Sequence, residues 1–252
     1  MISILSDILN FLFPRYCVKC GRRLNAGERS ICTTCVMHLP RTDYHVGKEQ
    51  SKLEKVFWTQ FPVERAASFF YYKGEDVRHM LHALKYYDQP EVGFDLACIA
   101  AEELAESGFF DGVDCIVPVP IHWRRMLRRN YNQSLYIAKG LRKVTGIPIY
   151  NNVVRRRVNN ISQTRLKHRE RKENTENIFA LVGKEKIIGK HILLVDDVIT
   201  TGSTVASCAK TLALADNVRI SVFSLARAVP TDIPQVNDHT TDTLSTGVPL
   251  LD

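Results

Sequence analysis

The 252-residue chain lacks a long hydrophobic run and any internal or collagen-like repeat. Apolar residues make up 45% of it and charged residues 24%, which is typical of a chain that buries a core, so a membrane bundle and wholesale disorder are excluded. Residues 1–13 are largely apolar, but they lack the basic residues and the cleavage site of a signal peptide, and Pro14 follows them. We expect a short amphipathic helix that packs on the protein itself, with no stable membrane insertion.

The seven cysteines are an odd number, and no export signal accompanies them. This argues against a disulfide framework and favours a reducing cytoplasm. Four of them form a C-x2-C-x11-C-x2-C pattern: Cys17, Cys20, Cys32 and Cys35. Two such hairpins supply the four thiolates of a closed site, so we expect a structural Zn2+ ion with no open position for catalysis. The alternative is a pair of structural or redox thiols. The remaining three lie on apolar stripes or strands and are expected in the core: Cys98, Cys115 and Cys208.

The chain divides into four stretches of different character. Residues 1–40 hold the N-terminal helix and the cysteine module, 41–60 are a connector, 61–228 alternate between strand and helix, and 229–252 form an acidic tail without Lys or Arg that we expect to be disordered. Strands are predicted at 65–72, 113–119, 147–154, 191–195 and 218–226, and helices around 77–84, 96–104, 137–144 and 203–214. Continuous Val/Ile/Leu strands separated by helices predict an α/β fold with a parallel sheet covered on both faces.

One stretch carries a specific chemical signal, the buried strand at 192–195 and the turn that follows it. The strand ends in two carboxylates, Asp196 and Asp197, and a short turn then leads into a helix: Thr200, Thr201, Gly202, Ser203 and Thr204. Backbone N–H groups, hydroxyls and the positive end of a helix converge in such a turn, which suits a phosphate monoester. The carboxylates suit vicinal sugar hydroxyls or Mg2+. The alternative is simple strand-end solvation with Ser203 as a helix cap.

Residues 195–204 resemble the 5-phosphoribosyl diphosphate (PRPP) motif of type I phosphoribosyltransferases. More of the chain, from about residue 5 to 227, is similar to the ComF/GntX family of phosphoribosyltransferase-like proteins, which is associated with DNA uptake in competent bacteria. The matching elements are the four-cysteine module, Leu84-Lys85-Tyr86, the Pro-Val-Pro at 118–120, the segment 128–133, the positions Gln163, Leu166, Arg171, Asn174 and Phe179, and the end of the last strand at 225–227. Asn130 stands where the family usually has Gly, which makes a left-handed backbone less free there.

The resemblance implies a type I phosphoribosyltransferase fold, a central mostly parallel sheet with flanking helices, plus a small N-terminal zinc-binding module. It implies that Asp196 and Asp197 hold the ribose hydroxyls and that residues 200–204 hold the 5-phosphate. The diphosphate would lie by the turn after Val119, with Lys85, Arg129 and Mg2+ sharing its charge. Such enzymes need no protein nucleophile, and no catalytic base is identifiable. Tyr86, Tyr131 and His122 are expected to serve packing or surface roles.

Positive charge is concentrated in one block. Residues 122–172 hold 15 Lys and Arg and one acid, a net +14, so the other 201 residues carry −7 of the overall +7. Within it, residues 155–172 are expected to form a flap over the diphosphate, with four candidate residues: Arg156, Arg157, Gln163 and Arg171. The alternative is a groove for single-stranded DNA in which Trp123, Tyr131 or Tyr136 stack on bases. A solvated basic face is the simplest alternative.

Three hypotheses follow for the function. The first is a Mg2+-dependent phosphoribosyltransferase of the ComF type, acting on an acceptor that the sequence does not identify and linked to DNA uptake. The second is a non-catalytic competence factor that binds single-stranded DNA and DNA-uptake proteins with a PRPP-sensing fold. The third is a nucleotide-responsive regulator.

Overall fold

The computed structural model describes residues 14–42, 53–86, 89–157 and 178–228. Three expectations lie outside these residues: the N-terminal amphipathic helix, most of the flap, including Gln163 and Arg171, and the disordered acidic tail. None of the described helices is long and apolar enough to cross a membrane.

A four-stranded parallel sheet forms the centre of the structure. Its strands run in the order β1-β6-β5-β2, with β1 at one edge and β2 at the other. A separate antiparallel pair, β3 and β4, lies beside it. The strands are β1 (Ala66–Tyr71), β2 (Cys115–Pro118), β3 (Val154–Arg156), β4 (Phe179–Leu181), β5 (His191–Ile199) and β6 (Arg219–Arg227). The predicted α/β fold class with a mostly parallel central sheet is confirmed.

Helices cover both faces of the sheet. They are α1 (Thr33–Met37), α2 (Glu54–Phe57), α3 (Gly74–Tyr86), α4 (Pro90–Glu106), α5 (Trp123–Arg129), α6 (Gln133–Thr145) and α7 (Ser203–Leu212). Strand β5 shows why both faces must be covered, because its side chains alternate between two apolar cores. Leu193 and Val195 pack on the side of α3, α4 and α6, whereas Ile192 and Leu194 pack on the side of α7.

The helices α4 and α6 pack unusually closely. At Gly140 on α6, a Cβ atom would lie 2.3 Å from the carbonyl oxygen of Phe94 and 2.8 Å from the Cβ of Ala97. Glycine is required here because any side chain would push the two helices apart. This contact fixes α6, whose first turn reaches the candidate site described below.

The cysteine module, residues 14–42, is attached to the helices of one face. Lys19 pairs with Asp76 on α3 at 2.9 Å, and the hydroxyl of Ser30 donates to Asp95 on α4 at 2.6 Å. Buried side chains of the module, Ile31 among them, belong to the same apolar core as α3 and α4. The module is therefore fixed to the α/β unit by polar and apolar contacts together.

Several predicted elements differ in detail. The predicted strand at 147–154 is wrong: Ile149 makes a single parallel bridge to Ile116, a turn follows at Asn151, and a three-residue strand begins only at Val154. The helix predicted around 137–144 is longer, Gln133–Thr145, and Val144 near its end is 36% exposed. The last helix ends at Leu212 rather than at residue 214. Strand β4 and helices α1 and α2 were not predicted, since each has five residues or fewer and shows too little periodicity.

Candidate functional site

The acidic pair, Asp196 and Asp197, lies where β2 no longer pairs with β5. Strand β2 pairs with β5 only as far as Val195, opposite Pro118, while β6 continues alongside β5 to Ile199. The expectation that the strand ends at Val195 is therefore wrong, since β6 still holds the next four residues in the ladder. Asp196 and Asp197 sit just past the end of β2, at the carboxyl edge of the parallel sheet. This edge is where open α/β sheets commonly bind their ligands.

Asp196 is held by hydrogen bonds to one of its carboxylate oxygens. The hydroxyl of Ser134, in the first turn of α6, donates to Oδ1 at 3.1 Å, and the backbone N–H of Asp197 donates to the same atom at 2.9 Å. Burial and the negative charge of Asp197 raise the pKa of Asp196 to about 7. The carboxyl group thus gains and loses its proton near neutral pH, and its second oxygen is left for a ligand.

Lys85 neutralises the other member of the pair. Its Nζ lies 3.1 Å from Oδ2 of Asp197, and both side chains are largely shielded from solvent. Lys85 is near the end of α3, so the predicted diphosphate cation and the predicted ribose ligand already lie side by side. A diphosphate entering the site would compete with Asp197 for this ammonium group.

The turn after β5 forms the wall of a small cavity of about 30 Å3, which it shares with Asp196. The cavity is lined by Asp196, Val198, Ile199, Thr200, Gly202, Ser203, Thr204 and Val205. Thr201 donates from its hydroxyl to that of Ser203 at 3.1 Å. The first turn of α7 borders this cavity, and a helix leaves its first four amides without intrahelical partners. The amide of Ser203 donates to the hydroxyl of Thr201 at 3.5 Å.

Gly202 is the residue on which the shape of the turn depends. It precedes the first residue of α7 and has a φ of 75°, in the left-handed region that favours glycine. A Cβ atom at this position would lie 3.0 Å from Cε1 of Phe57 and 3.2 Å from a methyl carbon of Val56. The sequence suggested glycine for close approach to a phosphate, and the structure adds a second reason, because α2 packs directly behind the turn.

Residues 131–134 connect three parts of the site, and the sequence did not reveal this role. The hydroxyl of Tyr131 donates to the carbonyl of Leu84, next to Lys85, at 2.5 Å. The side-chain amide of Asn132 donates to the carbonyl of Val119, just after β2, at 3.1 Å. Ser134 reaches Asp196. The same short segment therefore fixes the end of α3, the end of β2 and the acidic pair relative to one another, and Tyr131 has the packing role expected of it.

The remaining charged candidates lie around this centre. Arg129 is the last residue of α5, just before the connecting segment, and is half-buried. Arg156 on β3 is also half-buried. Burial and the charge of Arg125 lower the pKa of Arg156, while the nearby Asp196 acts against that effect. Arg157 is exposed, and its backbone N–H donates to the carbonyl of Ile178 at 2.8 Å. Arg156 is thus brought towards the acidic pair, and Arg157 points to solvent.

Helix α5 has an unusual surface. It buries none of its side chains, although it carries Trp123, which is 58% exposed, and four arginines. The guanidinium of Arg124 lies 5.3 Å from the Trp123 ring centroid. His122 caps the helix and is buried, as its expected packing role requires. Tyr131, also named as a stacking candidate, is buried, so it is not available to a base.

The four cysteines converge on one point. Their sulfur atoms all lie within 4.8 Å of one another, and those of Cys20 and Cys32 are 3.8 Å apart. A tetrahedral ion with Zn–S bonds of about 2.3 Å requires sulfur atoms roughly 3.8 Å apart, so the donor set fits zinc. Burial acts to raise the pKa of Cys32, but hydrogen bonds from Arg22 and from the Cys35 backbone outweigh it and lower the pKa to about 6. Cys32 is therefore a thiolate at neutral pH, the form that binds metals.

The other cysteines are placed largely as expected. Cys115 and Cys208 are fully buried. Cys98 is only half-buried and lies on α4, where its thiol donates to the carbonyl of Gly140 on α6 at 3.5 Å. His38 is exposed, and its Nδ1 lies 2.7 Å from the carbonyl oxygen of Thr34, so it is a surface residue.

Comparison with known proteins finds similarity to two curated relatives. The chain is 28% identical over 230 residues to competence protein F of Haemophilus influenzae, a match that covers 88% of this chain and 100% of that protein. It is 33% identical over 153 residues to the DNA utilization protein YhgH of Salmonella typhimurium, with 60% of this chain and 66% of that protein covered. The resemblance to the ComF/GntX family is confirmed.

Other comparisons are weaker. No family model matches the chain. Among solved structures, adenine phosphoribosyltransferase from Saccharomyces cerevisiae is 15% identical, with a TM-score of 0.37 and coverage of 57% of this chain and 72% of that one.

The departure from the ComF/GntX pattern at Asn130 leaves the backbone conformation intact. Asn130 follows α5 with a φ of 61°, in the left-handed region, and its N–H donates to the carbonyl of Met126 at 2.7 Å. Asparagine tolerates this conformation better than most residues. The turn that leads into residues 131–134 therefore has the geometry that glycine would allow.

Proposed function

We propose that this protein binds PRPP at the carboxyl edge of the sheet and transfers its 5-phosphoribosyl group to an acceptor in a Mg2+-dependent reaction. One observation carries the proposal: Asp196 and four residues of the turn, Thr200 and 202–204, line the same cavity, so groups suited to a sugar and groups suited to a phosphate face one space. The names of the relatives, a competence protein and a DNA utilization protein, support a role of this activity in DNA uptake.

Different residues of the site would bind different parts of PRPP. Asp196 and Asp197 would accept hydrogen bonds from the vicinal ribose hydroxyls. The hydroxyls and backbone amides of residues 200–204 would hold the 5-phosphate, and Lys85 would move from Asp197 to the diphosphate. A Mg2+ ion bound with PRPP would neutralise part of the diphosphate charge. Arg129 and Arg156, the last residue of β3, are the further cations that we assign to this rim, whereas Arg157 points to solvent.

The chemistry required of the protein is mainly positioning. The bond between the anomeric carbon and the diphosphate oxygen breaks, diphosphate leaves with the bonding electrons, and the acceptor forms the new bond to the same carbon. Positive charge develops on the sugar as this happens. The negative charge of the acidic pair, for which Asp196 must lose its proton, would stabilise the charge on the sugar, and the cationic rim would stabilise the leaving diphosphate, so electrostatic preorganisation would supply most of the catalysis.

The cysteine module is proposed to hold one structural Zn2+ ion through Cys17, Cys20, Cys32 and Cys35. Four sulfur ligands complete the coordination shell, which leaves no position for a substrate. The module has few apolar residues of its own, so the metal would supply much of its folding free energy.

Titration calorimetry with PRPP and Mg2+ tests the binding proposal. The double variant Asp196→Asn/Asp197→Asn should lose affinity by at least about 100-fold, since each carboxylate–hydroxyl hydrogen bond contributes roughly 1.5–3 kcal/mol. The matched control is Asp216→Asn, which changes an acidic side chain that is 71% exposed on the surface and should bind as the unaltered protein does. A double variant that binds PRPP within threefold of the unaltered protein would refute the proposal.

Turnover is tested separately by measuring diphosphate release from PRPP over candidate acceptors: purine and pyrimidine bases, amines, ammonia and single-stranded oligonucleotides. Release that depends on both one acceptor class and Mg2+, and that the double variant abolishes, supports transfer. If PRPP binds but no acceptor triggers release, the non-catalytic sensing role is the correct one.

Helix α5 favours a second candidate function, the binding of single-stranded DNA. An exposed tryptophan beside four arginines offers a stacking platform next to cations that neutralise phosphates. Trp123→Ala should weaken oligonucleotide binding about tenfold, because one base stack contributes roughly 1–3 kcal/mol. Trp58→Ala is the matched control, since Trp58 is 56% exposed and follows α2, a different helix. Equal affinity of the two variants, or affinity that does not change with salt, would count against DNA binding.

A further inference from the structure

The side-chain amide of Gln60 reaches the phosphate turn from outside it. Its Nε2 donates to the carbonyl of Thr201 at 2.9 Å and to the carbonyl of Val56, four residues earlier in its own segment, also at 2.9 Å. An amide nitrogen carries two protons, so both are used and the orientation of the group is fixed. Gln60 lies in the stretch 41–60, which the sequence predicts only as a connector, and it is 141 residues away from the carbonyl of Thr201.

The segment that carries Gln60 is anchored in the structure on two sides. Phe57 of α2 is fully buried and belongs to the same apolar core as Val205 of α7. The carboxylate of Glu54 accepts a hydrogen bond from the backbone N–H of Ala66 on β1 at 3.1 Å. The amide of Gln60 is therefore presented to the turn from a support that is fixed to both α7 and β1.

The peptide group between Thr201 and Gly202 can point in either of two directions. Gly202 has a φ of 75° and a ψ of −4°, the values typical of the third residue of a type II turn. A type I turn differs mainly in the ψ of its second residue and the φ of its third, which amounts to a rotation of this peptide group by roughly 180°. Glycine adopts both conformations readily and does not choose between them. The hydrogen bond from Gln60 to the Thr201 carbonyl selects the first.

Fixing this carbonyl also fixes the N–H group on the other side of the peptide bond. The peptide group is planar and trans, so the C=O of Thr201 and the N–H of Gly202 point in opposite directions. Because the carbonyl is turned towards Gln60, the N–H is turned away from it. Within the part of the chain that the structure describes, this N–H has no acceptor, and Gly202 lines the cavity together with Ser203.

We infer that Gln60 is a positioning residue for phosphate binding: it holds the Thr201 carbonyl and thereby directs the N–H of Gly202 towards the 5-phosphate of PRPP. The inference rests on the proposed function, since it concerns the same site. Gln60 acts through the turn and not on the ligand itself. Without its hydrogen bond the peptide group turns over in part of the molecules, and the carbonyl oxygen then repels the phosphate, so preorganisation is lost.

Titration calorimetry in the presence of Mg2+ tests this role with two probes, PRPP and inorganic diphosphate, which lacks the 5-phosphate. Gln60→Met keeps the side-chain length and the lack of charge but has no donor. It should bind PRPP about fivefold more weakly, the factor that one neutral hydrogen bond contributes, and diphosphate within about twofold of the unaltered protein. Gln60→Asn keeps the amide but is one methylene group shorter, and it should lose the same affinity for PRPP. Thr59→Met is the matched control, since it places a methionine at the neighbouring exposed position and should bind both probes normally.

The NMR signal of the Gly202 amide provides a readout that a loss of stability does not move. Its proton should shift downfield when PRPP saturates the unaltered protein, because the phosphate accepts a hydrogen bond from it, and the shift should be smaller in saturated Gln60→Met. The absence of this shift in the unaltered protein would overturn the inference. Equal PRPP affinity of Gln60→Met and the unaltered protein, or an equal loss for both probes, would overturn it while PRPP binding stands. An unaltered protein that does not bind PRPP would refute the proposed function and this inference together.

Discussion

Replacement of Asp196 by asparagine should make the protein more stable above neutral pH while it weakens the proposed PRPP site. Asp196 lies beside Asp197 at the opening of the sheet, and burial together with that neighbouring charge raises its pKa from 3.8 to about 7. Asparagine is nearly isosteric with aspartate, and its carbonyl oxygen can still accept the hydrogen bonds from Ser134 and from the Asp197 backbone. The substitution therefore removes the charge and keeps the packing.

The sign and size follow from linkage. Below pH 4 the carboxyl group is protonated in both the folded and the unfolded protein, so it costs no stability. As the pH rises towards 7 the unfolded chain ionises and the folded protein does not, so the free energy of unfolding falls, and above 7 the loss is constant. A shift from 3.8 to about 7 corresponds to a full loss of about 4 kcal/mol. About 2 kcal/mol of this loss of stability occurs between pH 5.5 and pH 8.5.

Urea unfolding of the unaltered protein and of Asp196→Asn at these two pH values measures the effect. The stability advantage of the variant should grow by about 2 kcal/mol from pH 5.5 to pH 8.5, and Asp216→Asn should show no such trend. Ser134→Ala removes one donor to Asp196 and should move the transition of the unaltered carboxyl to higher pH. An advantage that is constant across the range, or that shrinks as the pH rises, would show that Asp196 is ionised in the folded protein well below neutrality.

Three further substitutions test other parts of the structure. Gly202→Ala should lower the free energy of unfolding in urea by about 2 kcal/mol, and Gly146→Ala should lower it by about 1 kcal/mol. Both glycines have a left-handed φ, but only a Cβ at position 202 would also meet Phe57. Equal losses of stability would contradict this reasoning. Asn130→Ala should cost about 1 kcal/mol and Asn130→Gly almost nothing, since only the conformation matters there. Cys32→Ser should abolish the zinc content measured by mass spectrometry and lower the melting temperature, whereas the control Cys98→Ser should retain the metal. A Cys32→Ser protein that keeps its zinc would refute the proposed zinc site.

Much of the fold could be predicted because its signals are local. The spacing of four apolar residues predicts the buried face of α3, and all four are buried: Val77, Met80, Leu81 and Leu84. Strands β5 and β6 are continuous apolar runs. The stretch at 147–154 could not be assigned in the same way, since its apolar residues suit a strand while Pro148 and the Asn151 turn limit pairing to a single bridge. Such outcomes depend on tertiary neighbours more than on the local pattern.

In the candidate site, too, the features that are local in the sequence could be predicted and the long-range contacts could not. The acidic pair and the turn 200–204 are close together in the sequence, so their type and order predict a phosphate and sugar site, and Asp196 lines one cavity with Thr200 and residues 202–204. The contact from Ser134 to Asp196 spans 62 residues, and that from Tyr131 to Leu84 spans 47. Neither has a local signature, because a serine or tyrosine near a helix start looks the same whether it packs, caps or reaches another element. Only the arrangement of β2, α3 and α6 around β5 reveals them.

The unequal pairing of β5 has a consequence for amide hydrogen exchange. Up to Val195 this strand is bonded to neighbours on both sides, and from Asp196 onward only β6 holds it. Amides at 192–195 should therefore exchange only through global unfolding, whereas those at 196–204 exchange through local opening at lower free energy. A boundary in protection thus falls inside one strand, between the residues that build the core and the residues of the proposed site. If PRPP binds as proposed, slow exchange should extend across that boundary to residues 196–204.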